Sequence, residues 1–237
     1  MNEKLKGIVT VFVDIDDTLW WFTENSKLAL RHTFDAFDIS SVCTYERFKE
    51  VYLKKNLELW NLYHHGLIDK DFLVNERFRF TLKECGYKGD VEKMCHLLDE
   101  EYLRFLALQS TTIPGARQLL EYLVAKGYDV NTLSNGFQGT QQQKLISGGL
   151  SDLIHRNVLS DDCGITKPQR GIFDYALEQC GAEAATTVMI GDNPDADIKG
   201  AHDAGWRTIY FNIRGLDPIE GTADAVVTSL DEIQQIL

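Results

Sequence analysis

Residues 8–13 (Ile-Val-Thr-Val-Phe-Val) constrain the fold more than any other segment, because nearly every position is apolar and most are β-branched or aromatic. A strand with one solvated face alternates apolar and polar residues, whereas a continuous apolar run is typical of a strand buried on both faces of a parallel sheet. The acids Asp14, Asp16 and Asp17 follow at once. The segment therefore predicts a central parallel strand with carboxylates at its carboxyl end.

Residues 20–107 have a different pattern. Proline is absent from this segment, and apolar residues recur at spacings of three and four. Breaks fall near residues 39–43, 66–69 and 86–90. The pattern predicts about four helices, which form an all-helical cap domain inserted after the first strand.

Strand and helix patterns alternate after this insert. Helices are predicted to begin at Pro114, Pro168 and about Ala196, and to end near Gly127, Gly181 and Gly205. Strands are predicted at residues 128–133, 187–190, 208–211 and 225–227. This alternation predicts an α/β fold whose mostly parallel sheet is covered on both faces. The core domain then comprises residues 1–19 and 108–237.

The charge balance limits the classes of partner. Asp and Glu number 36 against 24 Lys and Arg, a formal charge of −12. No basic excess exists to displace counterions, so we expect no nucleic-acid polymer, no membrane, and a monomer or small homo-oligomer. The five cysteines are scattered without a Cys-x-x-Cys pair, and the apolar run at residues 8–13 is too short for a membrane span. Both features favour a cytoplasmic protein.

Reactive side chains follow several predicted strands. Parallel sheets place their chemistry at the carboxyl ends of strands, so side chains at those ends are expected to meet at one edge. The candidates are Asp14 and Asp16, Ser134 and Asn135, Lys167, and Asp192 with Asp197. A carboxylate can attack phosphorus, and a second one can transfer protons to and from oxygen. Clustered carboxylates also form a hard oxygen site suited to Mg2+.

These residues resemble the motifs of the haloacid dehalogenase superfamily. The matching segments are Asp14-x-Asp16-x-Thr18-Leu19, Ser134-Asn135, Lys167-Pro168 and Gly191-Asp192 with Asp197, spanning residues 8 to about 205. The resemblance implies a Rossmann-like core with a helical cap. It also implies a Mg2+-dependent phosphatase that passes through an aspartyl phosphate.

The resemblance assigns a role to each residue. Asp14 would be the nucleophile and Asp16 the acid and base, and the metal would be held by the side chains of Asp14 and Asp192 with the main-chain carbonyl of Asp16. Ser134 and the Asn135 backbone would bind phosphate. Lys167 would neutralise charge on the phosphate and on Asp14. Asp197 would orient the lysine or a metal-bound water.

The acid at Asp16 narrows the choice of reaction. Dehalogenases of this superfamily have no acid two residues after the nucleophile, because a halide leaves without a proton. Hydrolysis of a phosphomonoester is therefore favoured. The alternatives from other classes are a phosphoacceptor switch, whose motif order differs, and a non-catalytic interaction protein, against which the complete residue set argues.

The substrate is expected to be a small phosphorylated metabolite. Residues 59–68 and 134–137 look like those of the house-cleaning pyrimidine 5′-nucleotidases, which implies a pyrimidine nucleoside monophosphate. Gly136, Phe137, Trp60 and Tyr63 are the candidate contacts, and packing of cap helices is the favoured alternative for Trp60 and Tyr63 taken singly. A sugar phosphate or phosphoglycolate is the alternative substrate.

Overall fold

The computed structural model describes residues 4–237, which divide into two compact units. The sheet unit comprises the chain up to Phe22 together with Ser110–Leu237, and the helical unit is Thr23–Gln109. The sequence analysis placed these boundaries after residues 19 and 107. Among the described residues, no helix is both long and apolar enough to cross a membrane.

The sheet unit contains a parallel sheet, which has six strands in the described part of the chain, in the order β3-β2-β1-β4-β5-β6. The strands are β1 (Thr10–Val13), β2 (Asp129–Ser134), β3 (Arg156–Leu159), β4 (Thr187–Gly191), β5 (Arg207–Phe211) and β6 (Ala225–Val227). Every residue of β1 is buried, and the strand lies between β2 and β4. The predicted α/β fold with a central first strand is confirmed.

Strand β3 is absent from the sequence prediction. It forms one edge of the sheet and pairs with β2 alone among the described strands. Arg156 is exposed and Asn157 half-buried, and only the last two residues are buried. Two buried positions are too few to produce a recognisable apolar pattern in the sequence. The strand forms because it pairs with β2 in the folded chain.

The helical unit is built from α1 (Phe22–Ala36), whose first residue still belongs to the sheet unit, and from α2 (Tyr45–His64), α3 (Lys70–Glu84) and α4 (Val91–Ala107). The helical insert is confirmed, and three of its helices begin at side-chain caps. Thr44 accepts a hydrogen bond from the Arg47 N–H, Asp69 from Phe72 and Asp90 from Lys93. Such caps satisfy backbone donors that a helix leaves open at its start.

Aromatic rings from three helices form the centre of the helical unit. The Phe78 ring centroid lies 4.7 Å from that of Tyr52 and 5.7 Å from that of Tyr102. Beside them, the buried Arg77 Nε donates to Asp99 Oδ1 at 2.6 Å. A cation inside an apolar core is tolerated because this carboxylate compensates its charge.

The other helices belong to the sheet unit: α5 (Ala116–Ala125), α6 (Gln138–Ser147), α7 (Ser160–Cys163), α8 (Arg170–Cys180), and α9 (Gly200–Asp203), which a π-helical turn (Pro194–Lys199) precedes. The prediction that Pro168 opens a helix is wrong by two residues. Residues 166–169 form a separate turn, closed by a hydrogen bond from the Gln169 N–H to the Thr166 carbonyl (2.9 Å), and α8 begins at Arg170.

The buried ion pair of the helical unit predicts a large effect on stability. Asp99→Ala leaves the Arg77 guanidinium buried without its carboxylate, which should cost about 3–5 kcal/mol of unfolding free energy. Glu92→Ala is the matched control, because Glu92 lies on the same helix and pairs with Arg79 on α3 at the surface (2.6 Å). Its loss should cost less than about 1 kcal/mol. Urea denaturation with amide exchange across α3 and α4 measures both, and equal losses would contradict the prediction.

Candidate active site

Sheet register brings the predicted site residues to one edge. Val13 of β1 is level with Thr132 of β2 and Ile190 of β4. The Asp14 N–H continues this ladder by donating to the Ile190 carbonyl at 2.9 Å. Asp14, Ser134 and Asp192 therefore stand at neighbouring strand ends of the sheet unit.

The turn after β1 is tight. Asp17 has a left-handed backbone (φ 59°), and the N–H groups of Leu19 and Trp20 both donate to the Ile15 carbonyl (3.0 and 2.8 Å). Thr18 is fully buried in this turn, and its Oγ1 lies 3.5 Å from Asp192 Oδ1. Thr18 therefore helps to shape the turn after the first strand.

Lys167 is the centre of the site. Its side chain is 2% exposed, and its Nζ donates to Asp14 Oδ1 (2.7 Å), Asp197 Oδ1 (2.6 Å) and the Leu133 carbonyl (2.6 Å). Three acceptors match the three N–H bonds of an ammonium group. The side chain of Asn135 exchanges hydrogen bonds with the Lys167 backbone (2.7 and 2.9 Å), which fixes where the lysine enters the site.

Burial governs the pKa values of these groups. Burial raises the pKa of the Asp14 carboxyl, and the Lys167 ammonium opposes that rise. For Lys167, burial lowers the pKa, but the carboxylates of Asp14 and Asp197 outweigh it, so the pKa lies above its ordinary value. Burial likewise raises the pKa of Asp192, opposed by Arg214. Burial therefore disfavours the charged forms of Asp14 and Asp192, and an added cation would favour them.

The donor set fits a magnesium ion. Asp14, Asp192 and Asp197 are buried and offer carboxylate oxygens that all lie within 4.8 Å of one another. Counting every group as ionised, the carboxylates of the site exceed its cationic side chains by two charges. The acids are Asp14, Asp16, Asp17, Asp192 and Asp197, and the cations are Lys144, Lys167 and Arg214. Hard oxygen ligands with this excess suit a divalent cation.

Arg214 is a site residue that the sequence analysis missed. Its Nε lies 2.6 Å from Asp192 Oδ2 and its Nη2 lies 3.3 Å from Asp17 Oδ2. Asp17 is buried, and Arg214 is one of its partners. Arg214 comes three residues after the end of β5, so the rule that selects polar residues near strand ends could have identified it.

The loop after β2 orients Ser134. Its Oγ accepts hydrogen bonds from the Gly136 N–H (3.3 Å) and from Gln141 Nε2 (2.6 Å). With both lone pairs engaged, the hydroxyl proton is available for an incoming oxygen. Gly136 fits closely over Gln141, since a Cβ at this position would lie 2.2 Å from Gln141 Nε2. Phe137 precedes α6 and is buried.

Asp16 has two partners on α6 that the sequence analysis also missed. Lys144 Nζ donates to Oδ1 (2.7 Å) and Oδ2 (2.9 Å), and Gln141 Nε2 donates to Oδ2 (3.0 Å). The Asp16 side chain remains 29% exposed. Trp60 and Tyr63 lie on α2 of the helical unit, half-buried and with ring centroids 5.7 Å apart, and their proposed contact with substrate stays a prediction.

A family model for haloacid dehalogenase-like hydrolases matches residues 8–205, a span that includes the strand-end acids, Ser134 and Lys167. The chain belongs to this family. Pyrimidine 5′-nucleotidase YjjG of Escherichia coli is 33% identical over 229 residues, which are 96% of each chain. Pyrimidine 5′-nucleotidase PynA of Streptococcus pneumoniae is 30% identical over 205 residues, 86% of this chain and 84% of the relative.

The fold of this haloacid dehalogenase-like hydrolase also matches solved structures. The magnesium-bound crystal structure of the HAD-hydrolase YfnB from Bacillus subtilis is similar with a TM-score of 0.86 and 32% identity, covering 98% of this chain and 99% of that one. Relatives of the chain act on small phosphorylated substrates, both nucleotides and sugar phosphates. This chain is a phosphatase of the family.

Close packing at Gly191 predicts that the phosphatase requires glycine there. A Cβ at this position would lie 2.3 Å from Asp197 Oδ2, so Gly191→Ala must displace Asp197 and with it Lys167. A displacement near 1 Å should lower kcat by about 100-fold. Gly139→Ala on α6 is the control, since a Cβ there meets nothing within 4 Å. Steady-state hydrolysis of an aryl phosphate tests both variants, and full activity of Gly191→Ala would contradict the argument.

Proposed function

We propose that this phosphatase is a Mg2+-dependent phosphomonoesterase in which Asp14 forms an aspartyl phosphate. The observation that carries the proposal is the placement of Asp14 beside Lys167, Asp192 and Asp197 in one buried cluster. A buried carboxylate oriented by an ammonium group is suited to attack phosphorus, because its water shell is already removed.

The side chains of Asp14 and Asp192 and the main-chain carbonyl of Asp16 would hold the metal, with Asp197 close by. A bound Mg2+ would neutralise phosphate charge and keep the acids ionised. Lys167 holds one oxygen of Asp14, which fixes the orientation of the nucleophile. Ser134 and the Asn135 N–H donate to the phosphate oxygens, where charge accumulates in the transition state.

Asp16 performs the proton transfers. In the first displacement, a bond forms between Asp14 and phosphorus, the ester bond breaks, and Asp16 gives its proton to the leaving oxygen. In the second, Asp16 removes a proton from water, which attacks phosphorus and releases Asp14 and inorganic phosphate. The exposure of the Asp16 carboxylate supports this role, since a leaving group can reach it.

The nucleophile can be tested directly. Asp14→Asn should lower turnover of an aryl phosphate in Mg2+ by at least about a thousandfold, because the amide cannot accept the phosphoryl group. Asp174→Asn, an exposed acid on α8, should retain activity. Rapid quenching of the wild type should trap a hydroxylamine-sensitive phosphoenzyme, and a chelated sample should be inactive until Mg2+ is restored. Retained turnover by Asp14→Asn, or a stable phosphoprotein after a single burst, would contradict the proposal.

We infer further that the substrate is a pyrimidine nucleoside 5′-monophosphate. Two supports are the similarity to YjjG and PynA over most of the chain and the aromatic candidates Trp60, Tyr63 and Phe137. An aromatic ring can stack on a nucleobase.

A substrate panel tests this assignment. The kcat/KM for UMP and CMP should exceed that for glyceraldehyde 3-phosphate and phosphoglycolate by more than about tenfold. Trp60→Ala should raise KM for nucleotides while leaving an aryl phosphate unaffected. Leu57→Ala, an exposed residue on the same helix, is the control. A sugar phosphate or phosphoglycolate that wins by a wide margin would replace the nucleotide as substrate.

A further inference from the structure

Lys144 is an almost buried cation whose charge faces Asp16. It lies on α6, its side chain is 4% exposed, and its Nζ bonds to both oxygens of the Asp16 carboxylate. The same Nζ lies 4.9 Å from the ring centroid of Trp20 and 5.2 Å from that of Phe22. The ammonium is therefore enclosed by one carboxylate and two aromatic rings, and both kinds of group stabilise a cation.

The surroundings of Lys144 differ from those of a surface ion pair. Removing an ammonium from water costs several kcal/mol unless good geometry compensates it. A lysine that served only solubility would extend into solvent, as the stem of a lysine allows. Here the side chain instead points inward to the Asp16 carboxylate. The ion pair is therefore an integral part of the site.

Gln141 completes the support of Asp16. It precedes Lys144 by three positions, so the two side chains lie on the same face of α6. Its Nε2 donates to Asp16 Oδ2 at 3.0 Å and to Ser134 Oγ at 2.6 Å. The Asp16 carboxylate thus accepts three hydrogen bonds from α6, which restrict rotation of its side chain.

The surroundings of Asp16 and Lys144 indicate which of the two side chains can contact the substrate directly. The Asp16 side chain is 29% exposed, so a leaving group can reach it, whereas the Lys144 ammonium is enclosed by that carboxylate and the rings of Trp20 and Phe22. Lys144 therefore acts on the reaction through Asp16. Proton transfer needs heavy atoms within about 2.6–3.2 Å, so a carboxylate that rotates freely would lose this geometry for much of the time.

We propose that Lys144, assisted by Gln141, is a positioning residue that fixes the orientation of the Asp16 carboxyl group for proton transfer to the leaving-group oxygen and from the attacking water. This inference rests on the acid and base role given to Asp16 in the proposed function. It predicts that the contribution of Lys144 depends on how much the leaving group needs a proton.

The test uses Lys144→Met, which keeps an apolar stem against Trp20 and Phe22 and removes the charge. For a nucleoside monophosphate, whose alkoxide needs a proton, kcat/KM should fall about 10- to 100-fold. For 2,4-dinitrophenyl phosphate, whose leaving group needs none, kcat/KM should stay within about threefold of the wild-type value. For this ester, the kcat of Lys144→Met should fall, because Asp16 must still activate water in the second step. Since kcat/KM stays nearly unchanged, KM should fall in proportion to kcat.

Asp16→Asn gives the upper limit of the effect, and the double variant with Lys144→Met should lose no more than Asp16→Asn alone. Gln142→Ala, an exposed neighbour on α6, should match the wild type. If Lys144→Met hydrolyses the dinitrophenyl ester with the kcat/KM of the wild type, the variant is folded. If circular dichroism shows that it is not, Lys144→Gln, which removes the charge and keeps a hydrogen-bond donor, should show the same dependence on leaving group.

Equal losses for all leaving groups, no loss at all, or additive losses in the double variant would overturn the positioning role. The proposed function fails differently. If Asp16→Asn itself shows no dependence on leaving group, then the role of Asp16 is wrong, whatever Lys144 does.

Discussion

The burial of the Lys167 ammonium is the interaction on which the rest of the site depends. An ammonium removed from water is stable only when its N–H bonds and its charge are compensated. Lys167 meets this requirement with Asp14, Asp197 and the Leu133 carbonyl. Asp14 directly follows β1, Asp197 lies in the π-helical turn before α9, and Leu133 is the penultimate residue of β2. One cation therefore fixes the relative positions of three segments that are distant in the chain.

Two other acids of the site are likewise paired with a cation. Asp16 has Lys144 as its cation, and Asp192 has Arg214. Neighbouring carboxylates repel one another, and separate cations allow them to share one sheet edge. The arrangement also gives the acids different environments. The nucleophile candidate is buried, while Asp16 keeps partial exposure, and such differences let carboxylates in one site perform different tasks.

Much of the fold could be predicted from local patterns. The apolar run of residues 8–13 marks β1 because a strand buried on both faces leaves a continuous signal. The helices of the insert are marked by caps such as Asp69 and Asp90. Strand β3 and the start of α8 could not be predicted, because an edge strand and a turn depend on the neighbours against which they form.

The sequence by itself determined the α/β class, the helical insert and the strand-end motif residues, since each has a local chemical or periodic signature. Only the tertiary structure decided which side chains support those residues. Lys144 and Gln141 resemble ordinary polar residues in a helix, and Arg214 is marked only by its position shortly after β5. They matter because they lie 2.6–3.0 Å from Asp16 or Asp192, acids that are more than 20 positions away in the chain. Such proximity has no local signature, because it exists only after the chain has folded.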